Sequence, residues 1–313
     1  MMPAVVKDQL PLIVLLLLVL VVSSIDSGFM APGNLLVVTA DTMTLFLMAA
    51  GATFVIMTGG IDLSIQAVAS MTSCIVAALL PKLGFTAVPI TLLAGAVFGV
   101  MNGLVTTKLR IPSFVATLAV SGVATSVAFL VSDARSVLIA AADRDAYLAW
   151  AVGDLGPLQN EILVGLVVLI GLTLLYQFTT FGRFIRAIGS QEQAVIASGI
   201  HADRIKILAF ILSGTMAGLA GVVMAGRLGS GSPTLANEFL LPAIACIIVG
   251  GTAITGGVGS VWRTFIGALI IAVVRIGMTF IGVSVFAQQI VFGLILVAAV
   301  AITMDRSKVA TVK

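Results

Sequence analysis

Charge is scarce in this chain, histidine nearly absent and cysteine almost so. Of 313 residues only 9% are Asp, Glu, Lys or Arg, against roughly 25% in a soluble domain. So little charge leaves nothing from which to build the polar shell of a soluble fold. The single histidine, His201, excludes a His-based catalytic or metal centre. Cys74 and Cys246 are far apart, each in an apolar run, with no metal-ligand spacing and no disulfide framework. They read as buried small hydrophobes. The net charge of +3 is scattered, with no basic stripe for a nucleic acid. No Gly-Lys-Ser/Thr occurs, so a phosphate-cradling nucleotide site is excluded as well. Nothing in the chain implies a cofactor or a metal.

What is present is hydrophobicity: 60% of the residues are apolar. A membrane helix needs about 20 consecutive apolar residues, with a range near 17–25. Ten runs are candidates, at roughly 10–25, 35–58, 64–80, 85–106, 112–131, 161–178, 206–226, 238–251, 261–281 and 286–304. The expected fold is all-α: a polytopic transmembrane helical bundle of about ten spans, forming one transmembrane domain over 1–313. The third and eighth runs are short and bordered by glycine pairs, which leaves open whether each crosses fully. The first run follows Lys7 and resembles a signal peptide's apolar region. However, Ser23-Ser24-Ile25-Asp26 offers no convincing cleavage site, so a retained first helix is expected.

Lys and Arg in the loops set the orientation. With ten spans and a cytoplasmic N-terminus, the inner loops hold Lys7, Lys108, Arg110, Arg183, Arg186, Arg204, Lys206, Arg263, Arg306, Lys308 and Lys313. The outer loops hold Lys82, Arg135, Arg144 and Arg227. The bias places both termini inside. Two loops are long, an external one at about 132–160 and an internal one at about 179–205, and neither suffices for a soluble domain.

Gly95, Gly99 and Gly103 recur every four residues in the fourth run, and Gly214 and Gly218 do so in the seventh. Small residues at that spacing let helix backbones approach where lipid supplies no hydrophobic drive. Three ionisable groups stand at membrane depth: Asp41, Asp62 and Arg275. Each is costly there and marks an interior pair, a cap or a pathway. For Asp62, the string Gly59-Gly60-Ile61-Asp62-Leu63-Ser64 reads as a helix break followed by a cap. A second break runs from Gly250-Gly251-Thr252 to Gly256-Gly257-Val258-Gly259-Ser260. Paired broken helices in two halves of a chain point to a transport pathway. The candidate pathway residues are therefore Gly59, Gly60, Asp62, Ser64, Gly250, Gly251 and Thr252. Whether the halves are parallel or inverted stays open.

The third informative stretch is Phe181-Gly182-Arg183-Phe184-Ile185-Arg186-Ala187-Ile188-Gly189, continued by Ser190 to Ile200. Within it, Gln191 to Ile200 fits a short amphipathic helix across the cytoplasmic face, with Glu192 toward its positive N-terminal end. In this order and spacing, the three stretches resemble the permeases of ribose/xylose/autoinducer-2 type ATP-binding-cassette importers, over about residues 35–304. The resemblance implies two such chains, identical or paralogous, forming a pore in the bacterial inner membrane. It also implies separate cytoplasmic ATPase subunits and a periplasmic sugar-binding protein. This chain would then carry no ATP hydrolysis of its own, and its cargo would be a pentose, hexose or related polyol. The same resemblance makes 191–200 the helix that takes up ATPase motion, through Glu192, Ala194, Ser198 and Gly199. Gln193 stands where the family often has alanine. Leu240-Leu241-Pro242 stand where it commonly has an acidic residue, which puts a substrate role at that spot in doubt. The rival is an ion-coupled secondary transporter of a small polar solute using Asp41, Asp62 or Arg275. An embedded enzyme is disfavoured because no paired carboxylates stand together at membrane depth.

Overall fold

Long apolar runs broken by glycine and proline give helices, and the computed structural model is a helical bundle. It describes residues 4–25 and 27–303. Asp26, Arg306, Lys308, Lys313 and the side chain of Lys7 lie outside the described residues. In chain order the helices are α1 (Ala4–Ile25), α2 (Pro32–Met57), α3 (Ile65–Leu83), α4 (Ala87–Thr107) and α5 (Ser113–Ser132). Two short helices, α6 (Ala141–Tyr147) and α7 (Ala149–Val152), sit in the loop between α5 and α8. Then come α8 (Asn160–Phe178), α9 (Thr180–Ala197), α10 (Ala202–Leu228), α11 (Leu240–Val249), α12 (Val261–Phe280) and α13 (Val285–Thr303).

Each of the ten apolar runs falls on one of these helices, but the count of ten crossings is not confirmed. Six helical stretches among the described residues are long and apolar enough to cross a membrane, one of them spanning both α3 and α4. The segments 11–25, 237–249 and 287–301 are apolar but shorter. The third run is not a short one, since α3 has 19 residues; α11, with ten, is short.

The centre of the bundle is α2. Every residue from Thr42 to Met57 is buried, the signature of a helix surrounded on all sides by other helices. By contrast α5, α8 and α13 turn Leu118, Leu130, Val167, Leu174 and Leu294 outward, as helices facing lipid do. The glycine spacing finds its partner inside the chain: α4 lies along α10. A Cβ on Gly95 or Gly99 would overlap the carbonyls of Gly214 or Phe210, and one on Gly214 would overlap the Gly95 carbonyl. Only hydrogen at these positions permits the approach.

The two ends of the bundle differ. One gathers the loop at 58–64, the α4–α5 turn, α9 and the loop at 250–260; there Lys108 pairs with Asp203 at 3.0 Å across the ends of α4 and α10. The other gathers the loop at about 132–160, where β1 (Val137–Leu138) pairs antiparallel with β4 (Ser230–Gly231). A small hairpin of β2 (Asp154–Leu155) and β3 (Leu158–Gln159) precedes α8.

Candidate functional site

The first break begins where α2 closes. Gly59 takes φ 81°, a left-handed conformation that only glycine adopts freely. The Gly59 and Gly60 N–H groups donate back to Ile56 O and Val55 O at 2.9 and 3.1 Å. The extended chain that follows cannot use helical partners, so α5 supplies them. Ile61 N–H donates to Ser113 Oγ at 2.9 Å, and Leu63 N–H to Thr117 Oγ1 at 3.0 Å.

Asp62 is buried at 2% exposure. Its carboxyl accepts from Ser64 N–H (2.9 Å), Ser64 Oγ (2.6 Å) and Ser213 Oγ of α10 (2.8 Å). Asn102 Nδ2 of α4 in turn donates to Ser64 Oγ at 2.7 Å. Among the described residues Asp62 is thus not the helix cap expected of it: its bond goes to the N–H of Ser64, the residue before α3, and not to an N–H of the helix. The hydroxyl of Ser64, the residue preceding α3, caps no helix N–H. Asp62 and Ser64 together tie the start of α3 to α4 and α10. Gly59 and Gly60 line a 240 Å³ recess shared with Thr106, Arg110, Ser113 and Lys206.

The second break is a compact loop. Gly256 and Gly257 both take positive φ, 85° and 79°. Ala253 N–H closes the loop on Val258 O at 2.9 Å, and Ser260 Oγ caps α12 by accepting from Arg263 N–H at 3.2 Å. The two breaks meet: Gly257 N–H donates to Met57 O at 2.9 Å. The contact is made by Gly256 and Gly257 rather than by Gly250, Gly251 or Thr252. Gly250 and Gly251 pack toward α12, with the Arg263 carbonyl filling the space beside Gly250, and Thr252 lies against Gly259. Thr252 is fully buried, and its hydroxyl has no hydrogen-bond partner among the described residues.

The 181–200 motif arrives at the same point. α9 is helical from Thr180, which the sequence reading had confined to 191–200, and it kinks at Gln191 (φ −161°, ψ 84°). Two residues before the kink, Gly189 is wedged between Met57 and Gly257; a Cβ there would overlap the Met57 carbonyl and the Gly257 nitrogen. Tyr176 at the end of α8 reinforces the junction. Its hydroxyl donates to Gly259 O at 2.7 Å, and the Arg186 guanidinium lies 4.8 Å from its ring centroid. All three sequence motifs therefore converge on one backbone contact.

Beyond the kink, Glu192 receives both of its bonds from Lys206 Nζ on α10, at 2.7 Å each. Val195 is buried against Ile188 and Ala202, whereas Ala194, Ile196, Ala197 and Ser198 are exposed. Gly199 (φ 81°) ends the turn with its N–H on Ile196 O at 2.9 Å. Ala194 and Ser198 line an open groove of about 400 Å³ with Arg183, Phe184 and Ile200. The short helix thus has one face anchored and one apolar face uncovered.

The family described as "Branched-chain amino acid transport system / permease component" matches residues 34–300. The chain belongs to that family. It is a multi-pass membrane component of the ATP-binding-cassette sugar permease type, as the three motifs indicated. The ribose import permease protein RbsC of Haemophilus influenzae is 32% identical over 298 residues, covering 94% of this chain and 92% of that protein. RbsC of Bacillus subtilis is 35% identical over 301 residues, 95% of this chain and 92% of its own. The L-arabinose transport system permease protein AraH of Escherichia coli is 34% identical, covering 84% and 79%. No solved structure matches.

One charged group escaped the sequence reading. Arg227, counted among the outer-loop charges, pairs with Asp41 of α2 and lies 3.5 Å from Glu161 of α8. The available signal was Glu161, an acidic residue at the start of an apolar run.

Proposed function

We propose that this chain is the pore-forming permease of an ATP-binding-cassette importer that carries a monosaccharide across the bacterial inner membrane. ATP hydrolysis resides on separate cytoplasmic subunits, a periplasmic binding protein delivers the sugar, and a second permease chain completes the pore. The chain crosses ten times with both termini in the cytoplasm, and 179–205 faces the ATPase.

The observation that carries this reading is the seat of Gly189 on Met57 and Gly257. Met57 ends the central helix α2, and Gly257 lies in the loop between α11 and α12. A push on the exposed face of 194–198 reaches both through backbone contacts. Packed interiors switch between discrete arrangements and do not deform smoothly. Displacing Gly189 therefore re-seats α2 and the α11–α12 pair together, the motion that alternating access requires. The names of relatives matched along more than nine-tenths of their length favour a pentose over an amino acid as cargo.

The test is reconstitution of the chain in liposomes with its cognate ATPase and binding protein. Uptake of D-ribose or L-arabinose that requires ATP is the expected result. Uptake without any ATPase, driven by a proton or sodium gradient, overturns the proposal in favour of a secondary transporter.

A further inference from the structure

The Arg227 end of the bundle contains its own cavities. One, of about 410 Å³, is lined by Asn34, Asp41, Arg275, Thr279 and neighbouring apolar groups of α2 and α12. A second, of about 360 Å³, is lined by Asp41, Thr44, Arg227, Phe239 and Arg275, among others. Asp41 and Arg275 belong to both walls, so the two cavities adjoin. Each lies in the range of about 300–1,000 Å³ typical of small-molecule sites, where apolar walls carry a few placed polar groups. Asp41 stands sixteen residues before Met57, roughly 24 Å of α-helix, so this chamber is remote from the Gly189 junction.

The polar groups of the wall are unevenly occupied. Asp41 is committed to Arg227. Among the described residues Arg275 makes no ion pair; its guanidinium is held 5.0 Å from the centroid of Phe239. A guanidinium carries five N–H donors in a fixed fork, and stacking on a ring face uses none of them. Thr44, 4% exposed, has a hydroxyl without a hydrogen-bond partner among the described residues. A buried hydroxyl left unpaired is costly, and a solute hydroxyl would satisfy it. Unoccupied donors, an acceptor already neutralised by Arg227 and an unpaired hydroxyl suit an uncharged polyhydroxylated ring better than an ion.

We propose that this chamber is a transit site for the monosaccharide, in which Arg275 and Thr44 donate hydrogen bonds to sugar hydroxyls and Phe239 positions Arg275. The inference rests on the proposed function and adds the place where the permease itself handles the cargo.

The experiment uses the complete transporter in proteoliposomes, with D-ribose, L-arabinose and L-leucine as probes at saturating binding protein. Uptake and ATP hydrolysis are measured together for wild type, Thr44→Val, Arg275→Gln and Arg275→Lys. The expected result is that sugar carried per ATP falls about fivefold or more in Thr44→Val and Arg275→Gln, with partial recovery in Arg275→Lys. Thr44→Val is isosteric and decides the matter by itself if the Arg275 variants fail to accumulate. Variants at the wild-type ratio, including a proportional fall of uptake and hydrolysis, overturn the chamber and leave the function standing. A wild type that carries L-leucine and neither pentose overturns both.

Discussion

At the Met57 end of α2 the closest contacts run from backbone to backbone, through glycines at Gly189, Gly256 and Gly257. At the Asp41 end of the same helix they run between long charged side chains around cavities of about 360 and 410 Å³. A backbone contact has no rotamers with which to absorb a displacement, so it passes the displacement on. Side chains around a cavity re-pair and admit water or solute. The two ends of one helix are thus suited to different tasks, transmission at one and reception at the other.

The comparison can be broken most decisively at the junction. Gly189→Leu forces a side chain into the space held by the Met57 carbonyl and the Gly257 nitrogen. Overpacking costs about 1–3 kcal/mol where side chains can give way, and here only backbone is available. The expected outcome is a loss above roughly 3 kcal/mol, read as failure to accumulate in membranes or as a large fall in Tm in detergent; an unchanged Tm would remove the junction from the account. Next in size is Asp62→Ala, which strips the acceptor from Ser64 and Ser213. The expected destabilisation is about 3 kcal/mol, with Asp62→Asn closer to wild type because one oxygen still accepts; thermal unfolding of the pair of variants checks the order.

At the other end, Arg227→Met leaves Asp41 and Glu161 without their shared cation. The loss should be smaller, about 2 kcal/mol, because Asp41 and Arg227 keep partial access to solvent. Equal losses at Asp62 and Arg227 would erase the contrast between a dry end and a wet one. The smallest stability effect belongs to Glu192 and Lys206, a partly exposed pair whose reversal should shift Tm by less than about 1 kcal/mol equivalent. Its functional effect is the informative one: Glu192→Lys should abolish stimulation of the ATPase by loaded binding protein, and adding Lys206→Glu should restore it. Stimulation that survives Glu192→Lys would separate this pair from coupling.

Element positions were legible because apolar runs end at Gly and Pro, whatever the tertiary context. The glycine spacings on α4 and α10 were legible as close-packing faces, but their mutual pairing was not, since spacing names a face and not its partner. Gly189 was visible only as a motif letter. Its role depends on segments about 70 and 130 positions away, and no local pattern carries that. Asp62 was read as a cap near something polar, and the polar partner proved to be Ser213 of α10. Arg227 escaped because a charge at a helix end reads as a loop charge until Asp41 and Glu161 are seen beside it. The helical stretch from Thr180 to Ser190 was missed because its basic residues look like solvated loop, whereas Gly182, Ile185 and Ile188 are buried.

The glycine faces of α4 and α10 also bear on how the chain is made. Phe210, which meets Gly99, is encoded 111 positions after it. At about 5–20 residues per second, synthesis takes roughly 6–22 s to deliver that partner. During that interval α4 lacks its partner, and once it has left the ribosome its Gly95, Gly99 and Gly103 face meets lipid or the insertion machinery. A nascent chain arrested before α10 would therefore present a bare small-residue groove, a marker by which quality control can distinguish an unfinished copy from a finished one.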